Sequence, residues 1–137
     1  MFEHVGKPFY KTYFKKIHDL LDKDGIAVIH TIGNIRTPKI TAAFIRKYVF
    51  PGGYIPTLSE IMPAIETSGL IISDVEVLRL HYAKTLSHWH RNFKNAEKEV
   101  LKIYDDRFIR MWEAYLNLSE LSFTIGDNVV FLSLIHI

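Results

Sequence analysis

Gly25-Ile26-Ala27-Val28-Ile29-His30-Thr31-Ile32-Gly33 is the stretch on which the fold turns. It is short, rich in β-branched residues and closed by a glycine at each end, so it suits a buried strand rather than a helix. Its near-continuous apolar character predicts a parallel-sheet strand with both faces covered. Upstream, Phe9, Tyr10, Tyr13, Phe14, Ile17, Leu20 and Leu21 recur at helical spacing. That spacing predicts an amphipathic helix over 8–22, opened by Pro8 and stopped near Gly25. Downstream, a polar loop over 33–38 leads to a second helix marked by Ile40, Ala43, Phe44 and Ile45, which Pro51-Gly52-Gly53 ends.

Thr57-Leu58-Ser59-Glu60 has the pattern of a capping box and starts a third helix, with Pro63 placed to kink it. Gly69 separates that helix from a strand over 70–78, in which Val75-Glu76-Val77 alternates. Long helices over 82–103 and 106–123 follow, and a strand over 129–134 closes the pattern. Helix and strand in alternation predict an α/β layer fold with at least partly parallel strands. Three strands are few for such a sheet and leave an open edge, with which a second copy of the chain could pair.

The chain has 137 residues, 48% of them hydrophobic, enough for one core and one folding unit. Seventeen basic and 15 acidic residues give a formal charge of +2, too mixed a surface to argue for nucleic acid. Lys11, Lys15 and Lys16 read as a solvated helix face. With no cysteine, disulfides, thiolate metal sites and a cysteine nucleophile are excluded. Glu3 and His4 stand where a signal peptide would be basic and then apolar, so no leader is expected. The apolar runs fall far short of the ~20 residues that cross a bilayer. A cytoplasmic chain with at most peripheral membrane contact is the expectation.

His30 lies near the carboxyl end of its strand, where open α/β sheets bind ligands. On its own, a histidine between Ile29 and Thr31 reads as a packed core residue. Its partners come from motifs that occur in order. These are Met1-Phe2-Glu3-His4-Val5-Gly6, His30-Thr31-Ile32-Gly33, Tyr48-Val49-Phe50-Pro51-Gly52-Gly53, Leu80-His81-Tyr82-Ala83-Lys84-Thr85-Leu86 with Trp89, and Arg107-Phe108-Ile109-Arg110-Met111-Trp112 with Tyr115-Leu116. Each is weak alone, but together they resemble the carboxyl-terminal half of the cyclopropane-fatty-acyl-phospholipid synthases and mycolic acid cyclopropane synthases. The resemblance weakens only over 132–137.

The resemblance implies the carboxyl-terminal part of a Rossmann-like class I methyltransferase sheet. About three strands with four to five helices are then expected, in one partial domain over 1–137, with the first half of the sheet missing. It also implies an S-adenosylmethionine-dependent reaction on the cis double bond of an unsaturated phospholipid acyl chain. The sulfonium methyl passes to the alkene, a carbocation forms, and loss of a proton from the added methyl closes a cyclopropane. Bicarbonate accepts that proton, and by motif match it is held by Glu3, His30, Tyr82 and the backbone at Ile32. A carboxylate at Glu3 suits the hydroxyl of the anion, while His30 and Tyr82 suit its oxygens. Tyr48, Phe50, Tyr54, Trp89 and Phe93 are expected mostly in the core, and the loop from Phe50 to Ile55 is the better candidate for lipid contact.

Two departures from the family pattern bear on function. Relatives place a glycine-rich loop after their first strand for S-adenosylmethionine, whereas the only adjacent glycines here, Gly52-Gly53, follow a helix. No cofactor-binding residue is therefore assigned, Met1 is read as internal to a longer frame, and the chain alone is expected to be inactive. Ser119 stands where many relatives carry an active-site cysteine and is kept as a candidate. A methyltransferase acting on a small non-lipid acceptor ranks second, since N-methylation has no carbocation to deprotonate. A non-catalytic module that docks on lipid or on itself ranks third.

Overall fold

The computed structural model describes residues 1–137, which divide into two compact units. The first comprises 1–78 with 128–137, and the second comprises 79–127.

In the first unit a helical turn at Phe2–His4 and another at Lys7–Phe9 lead into helix α1, Tyr10–Leu20. Strand β1 follows at Ile26–Asn34, then short helix α2 at Ala43–Tyr48 and α3 at Leu58–Glu66. Strand β2, Ile71–Leu78, and strand β3, Asn128–His136, complete a three-stranded sheet in the order β1-β3-β2. Phe14, Ile65 and Ile135 lie at the centre of the core, with Phe2, Tyr10, Val129 and Phe131 around them. Each such side chain contributes roughly 1.5–3 kcal/mol by leaving water, before entropy is counted. α1 and α3 therefore hold one face of the sheet.

The parallel expectation fails here. Both ladders are antiparallel, β3 running against β1 (His30 opposite Leu132) and against β2 (Glu76 opposite Leu132). The one parallel pairing is an isolated bridge between Asn34 and Thr57. An apolar run shows that a strand is desolvated but not which strand lies beside it. Nor are both faces of β1 covered, since Ala27 and Ile29 pack on the core while Ile26 and Val28 are 66% and 58% exposed.

Gly33 faces Val129 in the register, and the Phe131 ring lies over it. A Cβ at Gly33 would stand 2.1 Å from that ring. The glycine is thus required by close approach of an aromatic side chain rather than by its own backbone angles.

In the second unit α4, Leu80–Asn95, packs along α6, Asp106–Thr124, burying Ala83, Leu86, Ile109, Leu116 and Phe123. The predicted helix over 82–103 is interrupted. α4 ends at Ala96, and a separate turn, α5, occupies Glu97–Val100. Asn92 and Asn95 in the closing turn are weak helix formers, and the Ala96 amide is shared between the Asn92 and Phe93 carbonyls. α6 starts where the sequence indicates, because Asp105 caps it by accepting the Phe108 amide at 2.9 Å. Arg79 ties the start of this unit to its end, donating to the carbonyls of Phe123, Thr124 and Gly126.

Candidate active site

The turn that carries Glu3 is anchored by Phe2, whose ring stacks on Tyr10 at 4.6 Å and meets Tyr13 and Phe14. With Phe2 buried, Glu3 is turned toward β1, and its Oε1 accepts the Ile32 amide at 2.6 Å. Its Oε2 pairs with the Met1 ammonium at 3.0 Å, and its own carbonyl accepts the Tyr54 amide at 2.9 Å. Burial raises the Glu3 pKa, but the hydrogen bonds it accepts, first that from the Ile32 amide and then that from its own amide, act against it and the pKa is lowered. The carboxyl is held below its ordinary range and is ionised at neutral pH. Two of the sequence-predicted positions, Glu3 and the Ile32 backbone, are therefore in direct contact.

His30 lies two residues before Ile32 and shares its side of the pleat. It is exposed, not a packed core residue. Glu3 is thus an ionised acceptor fixed on a strand amide, with an exposed imidazole one pleat away.

A second network lies next to Glu3 and was only partly foreseen. Glu60 completes the expected capping box by accepting the Thr57 amide at 2.9 Å. It also accepts the Tyr54 hydroxyl at 2.7 Å and pairs with the Lys7 ammonium. Burial raises the Glu60 pKa, yet Lys7, the Thr57 amide and Tyr54 bring it below the usual carboxylate range. The Tyr10 hydroxyl is buried without a hydrogen-bond partner, and burial, then the negative charge of Glu60, pushes its pKa well up.

The remaining candidates sit in the second unit. The Tyr82 ring packs on Phe123 at 4.9 Å and meets the edge of Trp89 at 6.1 Å. Ser119 is half-buried on α6, and its carbonyl accepts the Ser122 hydroxyl at 2.6 Å. Tyr115 lies beside both, its pKa raised by burial and then by Tyr82 and partly lowered by a hydrogen bond with Ser119. Tyr115 was not among the candidates, although its spacing of one helical turn from Ser119 was the signal. Tyr48, Phe50 and Trp89, expected mostly in the core, are 44%, 39% and 47% exposed.

No strand in the chain is followed by a glycine loop that opens a helix. The glycines with positive φ, Gly6, Gly52 and Gly69, lie elsewhere. No helix is long and apolar enough to cross a membrane.

This architecture is that of the carboxyl-terminal part of a Rossmann-like methyltransferase. The crystal structure of mycolic acid cyclopropane synthase CmaA1 complexed with SAH and CTAB superposes with a TM-score of 0.89 at 26% identity, over 98% of this chain and 52% of that one. The chain belongs to the mycolic acid cyclopropane synthetase family, whose model matches residues 1–132. It is 35% identical over 127 residues to the cyclopropane-fatty-acyl-phospholipid synthase of Escherichia coli K12, covering 93% of this chain and 33% of that protein. It is 37% identical over 121 residues to a probable fatty acid methyltransferase of Pseudomonas putida, covering 85% of this chain and 31% of that protein. The chain thus spans about a third of these curated relatives.

Proposed function

We propose that this chain supplies the proton-accepting part of an enzyme that methylates, and closes to a cyclopropane, the cis double bond of an unsaturated phospholipid acyl chain. The observation that carries the reading is the ionised Glu3 carboxylate fixed on the Ile32 amide, with His30 exposed on the same strand. Glu3 and His30 would hold bicarbonate. Bicarbonate bound there would accept the proton released when the ring closes. A fixed negative charge beside an apolar acyl chain also offsets the cation that precedes closure, and such contacts are commonly worth about 3 kcal/mol of barrier.

S-adenosylmethionine would supply the methyl group, from a part of the enzyme outside this chain. The chain alone is then inactive, and a peripheral place at the membrane follows from the substrate. The test joins residues 1–137 to the amino-terminal part of the Escherichia coli relative and incubates the fusion with S-adenosylmethionine and monounsaturated phospholipid. A product heavier by one methylene is expected from the fusion and not from the chain alone. Glu3→Gln should remove most of that activity and regain part of it as bicarbonate is raised. Unchanged turnover in that variant sinks the bicarbonate assignment.

A further inference from the structure

Between Asp24 and Glu60 the chain carries no acidic residue, yet Arg36, Lys39, Arg46 and Lys47 all fall there. Against a formal charge of +2 for the whole chain, this stretch carries fixed charge of one sign only. All four are exposed. Between them stand large apolar side chains that also face water. Ile40 is 82% exposed and Ile35 47%, with Tyr48 and Phe50 beside them.

The stretch is held in shape by its own contacts. Its base is closed where the Asn34 amide donates to the Pro56 carbonyl at 2.8 Å. Across it, the Thr41 hydroxyl donates to the Gly53 carbonyl at 2.9 Å. On α2 the Phe44 and Tyr48 rings are 5.6 Å apart, and the Lys47 ammonium lies 5.2 Å from the Tyr48 ring centre. The result is a closed loop that presents cations and apolar groups together.

We propose that this loop, residues 35–50, docks the chain on an anionic lipid bilayer. Ile35, Ile40, Tyr48 and Phe50 enter the headgroup boundary, and Arg36, Lys39, Arg46 and Lys47 meet the lipid phosphates. The inference rests on the proposed lipid substrate and names the surface that brings the chain to it. The pairing of charge and apolar exposure selects this partner. A polyanion in solution has use for the cations but none for an aliphatic side chain as exposed as Ile40, whereas a bilayer interface takes both.

The experiment is co-sedimentation of the 137-residue chain with vesicles of phosphatidylcholine alone and of phosphatidylcholine mixed with phosphatidylglycerol, at low and high salt. Binding is expected to the mixed vesicles and to weaken as salt is raised. Arg46→Glu with Lys47→Glu should lower the partition coefficient by about 30-fold or more. Ile40→Ser with Phe50→Ser should lower it even at high salt, where charge is screened. Lys98→Glu with Lys102→Glu in the second unit, the same change of charge elsewhere, should cost far less. Circular dichroism confirms that each variant is folded. Equal binding to neutral vesicles, or a loop reversal no more harmful than the control, overturns the proposal. The readout needs no turnover, so a negative methylation assay bears on the proposed function alone.

Discussion

Glu3 and Ile32, 29 residues apart in sequence, are joined by a carboxylate–amide hydrogen bond of 2.6 Å. The bond ties the first turn of the chain to β1, and it makes Glu3 a structural tether as well as a candidate catalytic group. Glu3→Ala would leave a part-buried amide without its acceptor, at an expected cost of about 1–3 kcal/mol. Glu3→Gln keeps a neutral acceptor and should cost less. Urea unfolding of the two variants checks this, and equal midpoints would show that the tether contributes nothing.

The same carboxylate sets an acid limit. Glu3 and Glu60 both titrate below their ordinary value of 4.5 in the folded chain. A depressed folded pKa means that their contribution is fully present above the unfolded value and is lost as pH falls through the folded one. Stability should therefore decline below about pH 4.5, and Glu3→Gln should flatten part of that decline. Thermal midpoints measured across the acid range test it.

The alkaline side has the opposite sign. The buried Tyr10 hydroxyl resists ionisation, so its folded pKa lies above the ordinary value of 10. Its contribution is intact below the unfolded pKa and is lost as pH rises through the folded one. Tyr10→Phe removes a desolvated hydroxyl that has no partner. Stability at neutral pH should be unchanged or rise by up to about 1 kcal/mol, and the alkaline loss should shrink. A drop of several degrees in midpoint at pH 7 would mean that the hydroxyl has a role the contacts do not reveal.

Gly33 and Phe131 supply a packing test. Adding a methyl at Gly33 drives the Phe131 ring from its place, so Gly33→Ala should destabilise by about 1–3 kcal/mol, the usual cost of overpacking. Phe131→Leu in the same chain opens room, and the double variant should lose less than the sum of the two single changes. Strict additivity would show that the two residues are not coupled.

Local signals in the sequence transferred well to the structure, and long-range ones did not. The β1 run, the Thr57–Glu60 capping box and the Asp105 start of α6 each depend on a few neighbouring residues, so their patterns survive into the fold. Pairing direction was misjudged because β3, the neighbour of β1, arrives almost a hundred residues later and runs against it. The further partners of Glu60, Lys7 and Tyr54, are tertiary contacts with no local pattern to announce them. Glu3, His30 and Tyr82 are candidates through ordered motifs rather than through burial or charge, and Ser119 through a position where many relatives carry cysteine. Tyr115 is brought beside Tyr82 and Ser119 by contacts that no local pattern announces, one of them from another helix.

Tyr115 gives the last test, which lies within the second unit. Burial raises its pKa, Tyr82 raises it further, and the Ser119 hydroxyl partly opposes both by hydrogen bonding. Removing that hydroxyl in Ser119→Ala should move the Tyr115 titration further up. Replacing Tyr82 by phenylalanine should move it down, since the neighbouring phenolate charge is gone. Ultraviolet difference titration isolates the residue when each spectrum is compared with the matching Tyr115→Phe background. If neither substitution moves it, the Tyr82, Tyr115 and Ser119 side chains do not act on one another. The case for Ser119 as a site residue would then rest alone on its standing where many relatives carry a cysteine.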